Sequence, residues 1–221
     1  SCIIADYDLS RTSSRRNRRL GEQAVLDRYP AHARILEFVG GLSFAHMDYV
    51  ARRLGGEGPP SPLLILDFRR VSGITAAAAR VLGEHLAELA QAGVTPALTG
   101  FDRRPALWKT LAFWAERIVT LQRFDVLDEA IEWAEDKVIA SHGGGSGDTV
   151  RFGEHALLQG LTADELAHLQ QMADLRRFKG GERVLTAGDA ARAIFFLLSG
   201  RVTVRMPSGI RLASLSAGME F

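Results

Sequence analysis

Six residues, Leu63-Leu64-Ile65-Leu66-Asp67-Phe68, decide the fold class. A strand that opens with an unbroken apolar run is buried on both sides of a sheet, and such a sheet needs helices packed over it. The sequence on either side supplies them. The turn Val71-Ser72-Gly73 leads into Ile74-Thr75, where Thr75 is an N-cap for a helix that puts Ala78, Leu82, Leu86 and Leu89 on one face. Gly93 stops that helix, and Val94 to Thr99 reads as the next strand.

The alternation continues in both directions. Upstream, Arg34-Ile35-Leu36-Glu37-Phe38-Val39 is a β-type run closed by Gly40-Gly41, with Leu42-Ser43-Phe44 expected as its hairpin partner. Ala45 to Leu54 carries a helical face (Met47, Val50, Ala51, Leu54), and Gly55 to Pro62 breaks it. Downstream, Arg103 to Ala115 reads as a helix with Leu107, Leu111 and Trp114 inward. Ile118 to Leu121 reads as a short strand, and Asp125 to Ile139 as an amphipathic helix. Strands alternating with helices predict a mixed α/β sheet covered by helices over residues 33–140.

The flanking segments read differently. Residues 1–32 are expected to be a basic leader: five arginines between Arg11 and Arg19 stand against Asp6 and Asp8, while the whole chain carries only +1. Residues 141–150 form a glycine-rich linker by composition. Beyond it, Thr162 and Glu165 make a capping box at a helix start. Turns then fall at Gly180-Gly181, Gly188-Asp189, Ser199-Gly200 and Ser208-Gly209, the spacing of short strands in a small β-barrel. Val202 to Met206 alternates cleanly. Residues 151–221 hold too few strands to close a barrel, so an incomplete mainly-β domain is expected there. The missing initiator Met points to a piece of a longer polypeptide.

Composition narrows the function classes. With 47% hydrophobic and 24% charged residues the chain is globular, and Cys2, its single cysteine, excludes a disulfide scaffold. No apolar run approaches the ~18 residues of a membrane span, and no signal-peptide layout opens the chain, so the cytoplasm is expected. The six histidines (His32, His46, His85, His142, His155, His168) have no metal-ligand spacing and read as surface or boundary residues. No nucleophile elbow, Ser-x-x-Lys pair, phosphate loop or dinucleotide fingerprint occurs. Catalytic and metal-binding residues are therefore expected to be absent. The arginine run lacks interleaved aromatics and reads as solvated, so no nucleic-acid partner is expected. Trp108, Trp114 and Trp133 read as core packing.

Thr75 is the one candidate regulatory position, a hydroxyl at a helix start above the sheet, where added phosphate charge meets free N–H groups. The plainer reading is a capping threonine.

Here the pattern resembles a known family. Arg34–Phe44, Leu63–Phe68, the turn into Ala76–Leu89, Val94–Thr99 and the closing helix are similar to a STAS domain, the fold of anti-sigma-factor antagonists. Phosphorylatable members carry Asp-Ser or Asp-Ser-Ser-Gly at the turn. This chain has Thr75-Ala76-Ala77-Ala78, with alanine in place of the phosphoacceptor serine. The resemblance therefore implies a docking or sensing module more than a kinase-controlled switch. Residues from about 155 resemble the front half of a cyclic-nucleotide-binding domain, through Leu158-x-Gly160-Leu161, Phe178-Lys179-Gly180-Gly181-Glu182, Ala187-Gly188-Asp189 and Ile194 to Val202. The family's phosphate cassette would lie beyond Phe221, so cyclic AMP or cyclic GMP is expected only in an intact parent.

STAS followed by a nucleotide sensor resembles the C-terminal region of long-form bacterial glutaminases and of SulP anion transporters. Tyr7-Asp8-Leu9-Ser10, Gly41-Leu42-Ser43-Phe44 and Ala76 to Leu82 lean toward the glutaminase. The resemblance implies a non-catalytic regulatory region serving an upstream domain that converts L-glutamine to L-glutamate and ammonia. A transporter tail and a stand-alone interaction module are the alternatives. The partner of the STAS surface and the oligomeric state stay open.

Overall fold

In the computed structural model, which describes residues 1–56, 60–143 and 149–221, the chain divides into two units. The first is Ser1–Arg15 with Leu20–Gly145, the second Arg16–Arg19 with Ser146–Phe221. The first unit runs β1 (Ile3–Asp8), α1 (Leu20–Arg28), β2 (Ala33–Leu42), α2 (Phe44–Gly55), β3 (Leu63–Ile74), α3 (Ala76–Gln91), β4 (Thr95–Thr99), α4 (Pro105–Ala115), β5 (Gln122–Phe124) and α5 (Leu127–Ser141). The strands form one sheet in the order β1-β2-β3-β4-β5. β1 pairs antiparallel with β2, and every other neighbouring pair is parallel.

The period of two along each strand sorts the core into two layers. Leu36, Phe38, Leu64, Leu66, Phe68 and Leu98 face α2, α3 and α4, which return Met47, Val50, Leu82, Leu86 and Leu111. Ala33, Ile35, Leu63, Ile65 and Ala97 face α1 and α5, which return Leu26, Ala130, Ile131, Ala134 and Val138. The apolar run of β3 thus feeds both layers at once, as its sequence requires. On the first side the rings form a column, Phe38–Phe68 at 5.2 Å, Phe68–Phe101 at 5.1 Å and Phe101–Trp108 at 5.2 Å between centroids. All three tryptophans pack against these layers.

Three expectations are corrected. There is no hairpin at Gly40-Gly41: β2 continues through both glycines to Leu42, because β3 is long enough to pair with it as far as Ile74. The pairing shifts register between Gly40 and Gly41, and Gly40 takes φ +75°, which a side chain would strain. The strand expected at 118–121 forms at Gln122–Phe124. The leader is not loose: Ile3–Asp8 is the edge strand, with Cys2 and Ile3 in the core. The arginine-rich stretch is anchored through Ser14, whose N–H donates to Glu135 Oε1 at 2.8 Å, and Arg15, whose N–H donates to Asp128 Oδ1 at 2.8 Å.

In the second unit α6 (Ala163–Met172) starts at the Thr162–Glu165 capping box, and β6 (Arg201–Arg205) pairs antiparallel with β7 (Arg211–Ser216). Arg16 bridges in parallel to Ser214, and the Asn17 N–H donates to Ser214 O at 2.9 Å, so residues 16–19 extend that pair. The expected turns are present, with Gly181, Gly188, Gly200 and Gly209 all at positive φ. The expected strands over residues 174–194 are not, since the described residues give their backbone no strand to pair with. Residues 144–148 of the expected linker lie outside the described residues.

Candidate functional site

Ligand and partner sites of parallel sheets gather toward the carboxyl ends of the strands, and two separate features of this sheet are candidates. The first is the turn into α3. Thr75 is exposed in extended conformation, and its Oγ1 accepts from the Ala78 N–H at 3.2 Å, so it is the cap its sequence position predicts. Its own N–H donates to Leu42 O at 3.0 Å, which sets the start of α3 beside the start of α2. Ala76 and Ala77 are exposed, while Ala78 and Ala79 are fully buried. Phe44, the first residue of α2, is exposed as well. The start of α3 thus exposes one hydroxyl and two methyl groups, with the Phe44 ring exposed at the start of α2.

The second feature was not foreseen. Glu37, Asp67 and Thr99 are register partners on β2, β3 and β4, where each strand's inward alternation reaches the end of the α1–α5 layer. The Tyr7 hydroxyl donates to Glu37 Oε1 at 2.7 Å. Asp67, 1% exposed, accepts from the Arg69 N–H at 3.0 Å and from Arg69 Nε at 2.7 Å. A buried carboxylate needs such charge-assisted bonds. Burial, and then donation to Glu37, push the Tyr7 phenol well above its ordinary range. Gly100 closes the site: at φ +93° a Cβ there would lie 2.5 Å from Arg69 N and 2.9 Å from Asp67 Oδ1. The signal was a carboxylate ending each of two apolar runs, Ile35-Leu36-Glu37 and Leu64-Ile65-Leu66-Asp67. Only the pairing register shows that they are neighbours.

Elsewhere, Cys2 is buried, and burial raises its thiol pKa, so it is a packing residue. His155 corrects the expectation of a surface histidine, being fully buried. His32 and His142, far apart in sequence, pack their rings 4.8 Å apart beside Tyr29. Among the described residues, no group of three or more His, Cys, Asp or Glu could hold a metal ion. No helix among them is long and apolar enough to cross a membrane.

No family model matches the chain. It is similar to Glutaminase 2 of Bradyrhizobium diazoefficiens, 48% identical over 221 residues, with 99% of this chain and 35% of that protein covered. Glutaminase 1 of the same bacterium is 44% identical over 223 residues, covering 100% of this chain and 36% of that protein. The chain therefore spans about a third of the length of the curated relatives it matches. Among solved structures it is similar to a sulfate transporter family protein from Wolinella succinogenes, at 23% identity and a TM-score of 0.38, covering 50% of this chain and 90% of that one.

Proposed function

We propose that this chain is a non-catalytic regulatory region of a glutaminase, C-terminal to the domain that hydrolyses L-glutamine to L-glutamate and ammonia. The observation that carries this is the asymmetry of the match: nearly the whole chain aligns at 48% identity, yet to only 35% of the relative. That asymmetry leaves room in the relative for a separate catalytic domain, and it sets the transporter tail and the stand-alone module behind this reading. In the same reading the first unit is a STAS-type domain. Its antiparallel edge strand, four sequential parallel strands and capped turn at Thr75 support this. Thr75 serves as the cap of a protein-docking surface on an otherwise alanine-lined turn.

The second unit is the opening part of a cyclic-nucleotide-binding type domain, supported by its glycine turns and by apolar side chains that its own strands leave uncovered. In this reading the 221 residues hold no phosphate cassette of their own, and the parent works in the cytoplasm.

The test compares ammonia release from L-glutamine by the whole parent protein, by the parent lacking these residues, and by the 221-residue chain alone. The parent is expected to turn over, the deleted form to keep turnover with altered kinetics, and the chain alone to give no rate above background. Glutamine hydrolysis by the chain alone overturns the proposal. Cyclic AMP and cyclic GMP titrated into the parent test the sensor reading.

A further inference from the structure

His155 of the second unit has an unusual setting. It is fully buried, and neither Nδ1 nor Nε2 has a hydrogen-bond partner among the described residues. Its ring stands edge-on to Phe196, 5.2 Å between centroids at 87°, and Phe152 packs on the same phenyl at 5.1 Å. Phe196 belongs to the pairing that holds residues 195–197 against residues 218–221. Phe195 and Phe221 exchange backbone bonds at 2.9 and 3.0 Å, and the Leu197 N–H donates to Met219 O at 2.9 Å. The imidazole therefore packs on a phenyl ring carried by that backbone pairing.

A neutral imidazole in such a place leaves one donor and one acceptor unmet. Protonation replaces the acceptor with a second donor and adds a full charge in an apolar setting. Glu220, bridged across from Phe196, is the charged group that acts on the ring. On the ring's own turn, Glu154 is engaged by the Arg151 N–H at 3.0 Å. On α6, which packs on that turn through Leu166 against Gly153, Glu165 is held in its capping box and His168 is exposed. Arg19 lies against Gly218.

We propose that His155 makes the second unit acid-labile, its protonation prying residues 150–158 away from the 195–197 and 218–221 pairing. Burial lowers the proton affinity of the ring below that of an ordinary histidine, and Glu220 opposes this only in part. The sign follows. The contribution of the buried neutral ring is whole above the unfolded value of 6.5 and is lost as pH falls through the lower folded value. The device does not depend on the parent's activity or on nucleotide binding.

The test is hydrogen exchange of the 221-residue chain at pH 8 and pH 5, corrected for intrinsic rates, with the peptide spanning Leu63–Phe68 as internal reference. Peptides covering 150–158 and 195–221 are expected to lose protection at pH 5 relative to pH 8, while the reference peptide keeps its own. His155→Phe is expected to abolish that loss, and His168→Asn to keep it. Equal protection at both pH values in the wild type overturns the proposal, as does an undiminished acid loss in His155→Phe. If His155→Phe does not fold, the wild-type imidazole NMR titration decides. A ring titrating near 6.5 with unchanged spectra from residues 195–221 also overturns it.

Discussion

The two units use their apolar residues in opposite ways. In the first, β3 lies between two strands and two helical layers, and Phe38, Phe68 and Phe101 are at most 1% exposed. In the second, a strand pair and its connecting turn carry Val204, Met206, Ile210 and Leu212 in the open, and Phe178 and Ile194 are exposed as well. Their residue types and turn chemistry are equally good. The difference lies in neighbours: a strand converts apolar side chains into stability only when another layer covers its face.

The sharpest way to break this contrast is a matched pair of truncations. Phe68→Ala should cost the first unit about 4 kcal/mol, as removal of a fully buried ring does, read by chemical denaturation. Phe178→Ala should cost the second unit no more than about 0.5 kcal/mol. Equal losses would mean that Phe178 is packed as fully as Phe68. Next in size is Gly83→Ala. A Cβ there would lie 2.4 Å from Trp114 Cβ, so α3 and α4 must part, at about 2 kcal/mol by the same measurement. Smaller again is the capping comparison. Thr75→Ala should lower first-unit stability by about 1 kcal/mol, and Thr75→Asp, another capping residue, should restore it. If Thr75→Ala leaves stability unchanged, the hydroxyl is not the cap.

The smallest effect lies in the acid range and separates the units by pH. Arg34 bonds Asp6 through Nε at 2.8 Å and Nη2 at 2.7 Å, and Arg53 pairs with the same carboxylate. The Arg34 bonds hold the Asp6 carboxyl below its usual 3.8. That contribution is whole above the unfolded value and is lost as pH falls through the lower folded one. First-unit stability should therefore fall only below about pH 4, and less steeply in Arg34→Gln, whereas the second unit should weaken from about pH 6.5 downward.

What the sequence disclosed follows from the same physics. The two-faced run of β3, the helical faces of α2, α3 and α5, and both threonine caps are local patterns and could be read directly. The edge strand Ile3–Asp8 could not, because IIADYD has no internal partner and its place depends on β2, some 30 residues on. Gly40-Gly41 reads as a turn until the length of β3 shows that pairing continues past it. At the candidate site Thr75 was legible as a cap. The Tyr7–Glu37–Asp67–Arg69 network was not, since it exists only in the register between strands.

The notch at Gly83 has a mechanical consequence. Trp114 sits in it like a pawl in a ratchet, so α3 cannot slide along α4 by part of a turn without lifting the indole out. The missing side chain at Gly83 thus fixes both the spacing of the two helices and the one register in which they can lie against each other.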